Sequence, residues 1–235
     1  MRLNVKNLII WLLIIAVVVA FHAVRRNSTM RGVEVSVKGN DICLLSEHDV
    51  DSLITAAYPA LRQTDIKRVE KRKIQETLLQ HPYVADAEVG ISAGGKLQVD
   101  VTQRVPVVRM FFQNSEFYVS EQGTVMPLCA KHYCDVLVGS SECDEWLSVW
   151  RLARFIHDNP QYDGVFDQIT LTAKGDLILV PKLGNTMVVV GDTNMLAEKF
   201  ENLWAFYDKG VKKMGWDTYK TINLKYRDQV VGVKR

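Results

Sequence analysis

From Leu8 through Trp11 to Val24 the chain reads LIIWLLIIAVVVAFHAV, an apolar run with His22 as its one polar member, bracketed by Lys6 and Arg25. A helix rises about 1.5 Å per residue, so this run reaches about 25 Å, slightly less than a hydrocarbon core of about 30 Å. Spanning therefore requires Lys6 and Arg25 to snorkel. The same residues also suit a cleaved signal peptide, with basic Arg2 and Lys6, an apolar centre and a small-residue site at Val18-Val19-Ala20. Either way residues 1–7 form a short tail, and the body lies outside the cytoplasm if that tail stays in. Flanking charge does not assign the orientation, because Arg25, Arg26 and Arg31 outnumber Arg2 and Lys6.

At 235 residues the chain is long enough for two domains of ordinary size. Basic residues number 29 and acidic 27, but four of the basic ones precede residue 27, where there is no Asp or Glu. The rest carries a net charge of about −2 and lacks the clustered basic face that displaces counterions from nucleic acid. No nucleic-acid partner is expected. The cysteines, Cys43, Cys129, Cys134 and Cys143, form an even set. Export permits a disulfide among the last three, buried thiols are equally compatible, and a zinc site with His132 lacks the paired C-x2-C spacing.

Residues 32–104 read as one module. Val33, Val35 and Val37 alternate with Glu34, Ser36 and Lys38, the period of a half-buried strand ending at Gly39-Asn40. Ser46 and Asp49 form a capping box ahead of Val50, Leu53, Ile54 and Ala57, a helix that ends by Pro59. A basic stretch from Arg62 to Lys73 reads as a solvated face and leads to a second helix with Ile74, Leu78 and Leu79, stopped at His81-Pro82. Two alternating runs, 83–91 and 97–102, flank the Gly94-Gly95 turn as a hairpin. The order β-α-α-β-β buries two helices on one face of a three-stranded sheet, which is the POTRA arrangement.

Residues 105–235 predict a second, β-rich domain, so the fold class is α+β. Strands are expected at 136–138, 166–172, 177–181, 186–190, 218–226 and 229–233, with helices over about 143–157 and 193–210. Trp146, Trp150, Phe155, Phe200, Trp204 and Tyr207 recur at helical spacing and read as core.

The run from Leu97 to Arg109, LQVDVTQRVPVVR, carries a Gln-Arg-x-Pro element at Arg104 and Pro106. The segment 117–128 follows a Tyr-x-Asp-x-x-Gly-x-x-x-Pro pattern, with Ser120 at the Asp position. The ending at Ile222, Leu224 and Tyr226 is similar to a Val-Asp-Leu-Arg-Tyr strand, with Asn223 and Lys225 as the departures. In this order the motifs resemble the bacterial FtsQ/DivIB division proteins. The resemblance implies a single transmembrane helix at 8–24, a linker at 25–31, a POTRA domain at 32–104 and an FtsQ-type β domain at 105–235. It further implies a bitopic protein of the bacterial inner membrane, with its bulk in the periplasm and enriched at the septum. As a divisome scaffold it would bind FtsB-like and FtsL-like proteins and link septum assembly to cell-wall synthesis. The partner-binding residues would be Tyr226, Asp228, Gln229, Val230, Val231 and Val233, on a terminal strand over 228–233 to which a partner adds a strand. Val233 stands where the family more often has an aromatic residue.

No Gly-rich phosphate loop, H-E-x-x-H, nucleophile elbow or S-x-x-K element occurs. No catalytic residue, cofactor, metal or small-molecule substrate is expected. Two other classes compete: an exported or anchored enzyme or thiol-redox protein using Cys134, and a POTRA-type transport or assembly factor. The last would continue into many alternating barrel strands.

Overall fold

The structure is a computed structural model that describes residues 11, 13–18, 30–39, 44–130, 132–211, 215 and 218–235. Leu8 and Val24 lie outside the described residues. Trp11 and residues 13–18 are helical, and their apolar side chains are exposed, Trp11 to 64%. Among the described residues no helix is long and apolar enough to cross a membrane. The chain divides into two units, ending at Gln103 and beginning at Arg104.

In the first unit β1 (Val33–Lys38) is followed by helix α1 (Glu47–Ala57), two 3-10 turns, helix α2 (Lys71–Leu79), β2 (Val84–Ile91) and β3 (Leu97–Gln103). The capping box forms as the sequence predicts: Ser46 Oγ accepts from Asp49 N at 3.1 Å, and Asp49 Oδ2 accepts from Ser46 N at 3.1 Å. The sheet order is β1-β3-β2, with β1 parallel and β2 antiparallel to β3. Leu97, Val99 and Val101 are sealed on the helix side with Val50, Ile54, Ile74 and Leu78. Leu79, expected on the buried face, is exposed, because it follows Leu78 by one residue and turns about 100° away. Gln103 is buried, and its Oε1 accepts from Leu44 N and Leu45 N at 2.8 and 2.9 Å, tying the approach to α1 to the end of β3.

The second unit contains β4 (Pro106–Phe112), β5 (Ser115–Ser120), β6 (Val125–Met126), β7 (Leu137–Ser141), α3 (Leu147–His157), β8 (Phe166–Leu171), β9 (Leu177–Pro181), β10 (Met187–Gly191), α4 (Leu196–Phe206), β11 (Tyr219–Asn223) and β12 (Val231–Lys234). They make one mixed nine-stranded sheet in the order β12-β11-β10-β9-β8-β7-β4-β5-β6. Strands β7 and β8 are parallel, as are β10 and β11, and the two helices are the crossovers that parallel neighbours require. Both helices pack on one face: Val149, Leu152, Ile156, Phe200 and Leu203 join Met110, Ile169, Leu179, Val188 and Ile222 in one core. Gly139 permits that approach, since a Cβ there would lie 2.7 Å from Val149 Cγ1 and 2.4 Å from Met110 Sδ.

Several boundaries differ from the sequence reading, each for a local reason. Helix α3 starts at Leu147 rather than near Cys143 because Ser141 Oγ holds the Cys143 N–H in a turn and the Glu145 carboxylate caps Ser148 N. Glu142 does not serve that helix, since it accepts from Ala173 N at 2.9 Å. Helix α4 starts at Leu196 rather than Thr193 because Asp192 Oδ1 accepts from Asn194 N and Met195 is left-handed, φ 54°. Strand β7 runs over 137–141 instead of 136–138, and β10 over 187–191 instead of 186–190. Strand β4, opening on Pro106, has no counterpart among the strands that the sequence predicts. Proline suits its first position because it supplies no ladder donor.

Candidate functional site

Strand β12 is one of the two edges of the nine-stranded sheet, the other being the two-residue β6, and it leaves backbone groups unpaired on its outer side. Strand β11 is held from inside: Ile222 is fully buried, Tyr219 O accepts from Thr186 Oγ1 at 2.7 Å, and Leu224 N donates to Val189 O at 2.8 Å. That last bond turns the parity of Leu224 and Ile222 toward β10, so Thr221 and Asn223 address β12, where they pair with Val233 and Val231. It follows that Val231 and Val233 bond inward and that Gly232 and Lys234 direct their N–H and C=O groups to the open side. Arg235 N, of the inward parity, donates to Thr218 O at 3.3 Å, which agrees. Gly232 is required here. A Cβ at that position would lie 2.5 Å from the Tyr219 ring, which itself meets Phe206 edge-on at 5.2 Å.

The side chains of Val231 and Val233 are 40% and 50% exposed. They share the face away from α3 and α4 with Thr221, Asn223, Met187 and Val189. No charged side chain stands among these six. Charge gathers instead at the neighbouring turn, where Lys225 Nζ meets Asp176 Oδ1 at 2.8 Å and Lys199 Nζ meets Asp192 Oδ1 at 2.7 Å. The bond to Asp176 raises the Lys225 ammonium pKa, and Lys199 lowers that of the Asp192 carboxyl. Between these pairs and Tyr226 lies a small cavity of about 160 Å³ that also touches Arg227 and Asp228.

The predicted terminal strand is shorter and shifted. Strand β12 begins at Val231 and includes Lys234; Asp228, Gln229 and Val230 lie outside it. Asp228 has φ 56° in a turn closed by Gln229 N to Tyr226 O at 3.3 Å, and Val230 packs partly buried on the core. Strand β11 ends at Asn223, whose Oδ1 accepts from Lys225 N. Tyr226 consequently does not face together with the buried Ile222 and Leu224; it is 57% exposed. Val231 and Val233 lie on β12 itself, and Tyr226 lies in the turn that precedes it. Gly232 and Lys234 carry its outward groups and escaped the sequence reading, because backbone parity leaves no mark on side-chain identity.

At the unit boundary Arg104 Nη1 donates to Thr124 Oγ1 at 3.2 Å, and Pro106 pairs with Ser120 across β4 and β5. Cys134 is fully buried and its backbone N donates to Tyr118 Oη at 3.2 Å. Burial pushes the Cys134 thiol pKa up, the reverse of what a thiolate nucleophile needs. Cys134 and Cys143 carry free thiols, whereas Cys43 lies outside the described residues. A cavity of about 590 Å³ is lined chiefly by apolar groups of Val165, Pro181, Leu183 and Trp204 and by Tyr207, whose hydroxyl pKa is pushed up to about 12 by burial.

Comparison with family models matches residues 29–102 to a POTRA-like domain and residues 105–233 to the FtsQ/DivIB, C-terminal related domain. The second match alone covers more than half of the chain. The chain belongs to the FtsQ/DivIB family. A comparison with curated proteins returns no match. FtsQ/DivIB proteins are non-enzymatic, membrane-anchored scaffolds of cell division, and the POTRA-like module preceding a large β unit is their arrangement. The Ser120 departure from the FtsQ/DivIB pattern is chemically conservative. Its Oγ accepts from Gln122 N at 3.2 Å and Thr124 N at 3.1 Å, the task an Asp carboxylate performs in such a turn.

Proposed function

We propose that this protein is a bitopic divisome scaffold of the bacterial inner membrane, with residues 8–24 as its anchor and its body in the periplasm at the septum. It captures FtsB-like and FtsL-like membrane-anchored division proteins by strand addition to β12 and so links septum assembly to cell-wall synthesis. The observation that carries this reading is the open edge at Gly232 and Lys234, with exposed Val231 and Val233 on the same strand and exposed Tyr226 in the turn before it. A short added strand would gain about three backbone hydrogen bonds of about 1 kcal/mol each, plus about 2 kcal/mol from an aromatic anchor. That gross sum falls short of the roughly 8 kcal/mol of a micromolar complex, so capture depends on both partners sharing one membrane. A thiol-redox role is not favoured, given the buried Cys134. The sheet is open, with β12 and β6 at its ends, which does not suit a barrel-bearing assembly factor.

Co-purification from detergent-solubilised membranes tests the reading. Lys234→Pro, which removes an outward donor, and Tyr226→Ala should each lower recovery of the small coiled-coil division proteins at least about fivefold while leaving the thermal transition in place. Wild-type recovery with both folded variants would refute strand addition.

A further inference from the structure

The first unit carries a charged surface that partner capture at β12 does not use. Between Arg62 and Lys73 the sequence places six basic residues against Asp65 and Glu70. Three of the six are neutralised nearby: Arg62 by Asp51 at 2.9 Å, Arg72 by Glu76 at 2.9 Å, and Lys73 by Glu70. Lys67, Arg68 and Lys71 are exposed and make no ion pair among the described residues. Arg68 lines an open cleft of about 310 Å³ together with Pro59, Leu61, Val69, Ile74 and Glu70, whose carboxylate is taken up by Lys73. Cationic rim and apolar wall together match an amphiphile with an anionic head.

The chain path says where this surface stands. Met30 N donates to Thr64 O at 3.3 Å and Arg31 N to Gly95 O at 3.0 Å, so the polypeptide joins this unit beside the turn that leads to Lys67. Five residues stand between Val24 and Met30, and the six steps from one to the other reach about 20 Å at most. A bilayer holding residues 8–24 would therefore lie within about 20 Å of Met30, which bonds Thr64 in the wall of the cleft, and closer for any path that is not fully extended.

We propose that the cleft bounded by Pro59, Arg68, Val69 and Ile74, with Lys67 and Lys71 beside it, binds the headgroup of an anionic phospholipid from the bilayer that holds the anchor. The inference rests on the anchor reading given under the proposed function. Lipid contact there would set the POTRA-like unit against the membrane surface, with the phosphate on Arg68 and the two lysines and the glycerol region against Leu61 and Ile74.

The test uses the full chain in nanodiscs of phosphatidylcholine alone or with about 30 mol % phosphatidylglycerol, footprinted with a water-soluble lysine-acylating reagent and read by mass spectrometry. Lys67 and Lys71 should be modified at least about threefold more slowly in the anionic discs, and the difference should vanish in about 1 M salt, where the Debye length is about 3 Å. Lys38 is the internal control: it lies at the far end of β1 from Val33, about 17 Å farther along, and its rate should not change. Arg68→Glu with intact thermal unfolding should remove the difference at Lys67 and Lys71. Equal rates in both discs, from protein that co-elutes with them, would overturn the headgroup site and leave the anchor standing. A chain that fails to enter neutral discs would remove the anchor reading and this inference together.

Discussion

Ser120 shows how one side chain can hold a turn that the sequence pattern only marks. It is fully buried, its Oγ serves two backbone N–H groups, and its carbonyl accepts from Trp150 Nε1 at 2.9 Å, which ties helix α3 to the β5–β6 turn. Ser120→Ala should therefore destabilise the second unit by about 1–3 kcal/mol, seen as a lower urea midpoint at unchanged slope. An unchanged midpoint would mean that the turn is held without that hydroxyl. At His81 the physics is protonation. Burial lowers the imidazole pKa below its ordinary 6.5, with Asp49 opposing, and Tyr83 N donates to Nδ1 at 3.3 Å, which needs that nitrogen unprotonated. The unfolded chain takes up the proton first as pH falls. The stabilising contribution of His81 is thus present in full above pH 6.5 and is lost as pH falls through the lower folded value. Urea titrations of the first unit should show this decline starting near pH 6.5, and His81→Asn should lack that component.

At the scale of elements, β12 is the strand whose register decides most. Its inward residues are Val231 and Val233 and its outward ones Gly232 and Lys234, so two adjacent prolines should behave differently. Val233→Pro breaks a ladder bond to Thr221 and should cost about 3 kcal/mol, whereas Lys234→Pro should stay within about 0.5 kcal/mol of wild type. Chemical denaturation of both variants checks the parity, and a larger loss for Lys234→Pro than for Val233→Pro would show the assignment inverted. The helices were legible from the spacing of Val149, Leu152, Ala153 and Ile156 and of Phe200 and Leu203, because a buried face must repeat with the helical period. Their first turns were not, since Glu145 and Asp192 act through hydrogen bonds to particular backbone groups that composition does not rank.

For the whole molecule, the boundary between Gln103 and Arg104 separates two units, each with its own sheet and core. Fragments 30–103 and 104–235 should each unfold cooperatively by calorimetry, and a fragment without a heat-absorption peak would show that its core needs the other. The sequence by itself determined the β-α-α-β-β order of the first unit, the two-helix β-rich second unit and most of the core, because alternation, helical spacing and capping are short-range properties. Even the family was readable in the order of weak motifs. Only the tertiary structure decided that β12 begins at Val231 and that Gly232 and Lys234 carry its free groups. Strand direction and hydrogen-bond parity come from the neighbour a strand meets, and β11 meets β10 and β12 through residues far apart in the chain. The cleft at Arg68 is of the same kind: in sequence its basic residues read as an ordinary solvated face, and only the fold sets Met30 beside Thr64.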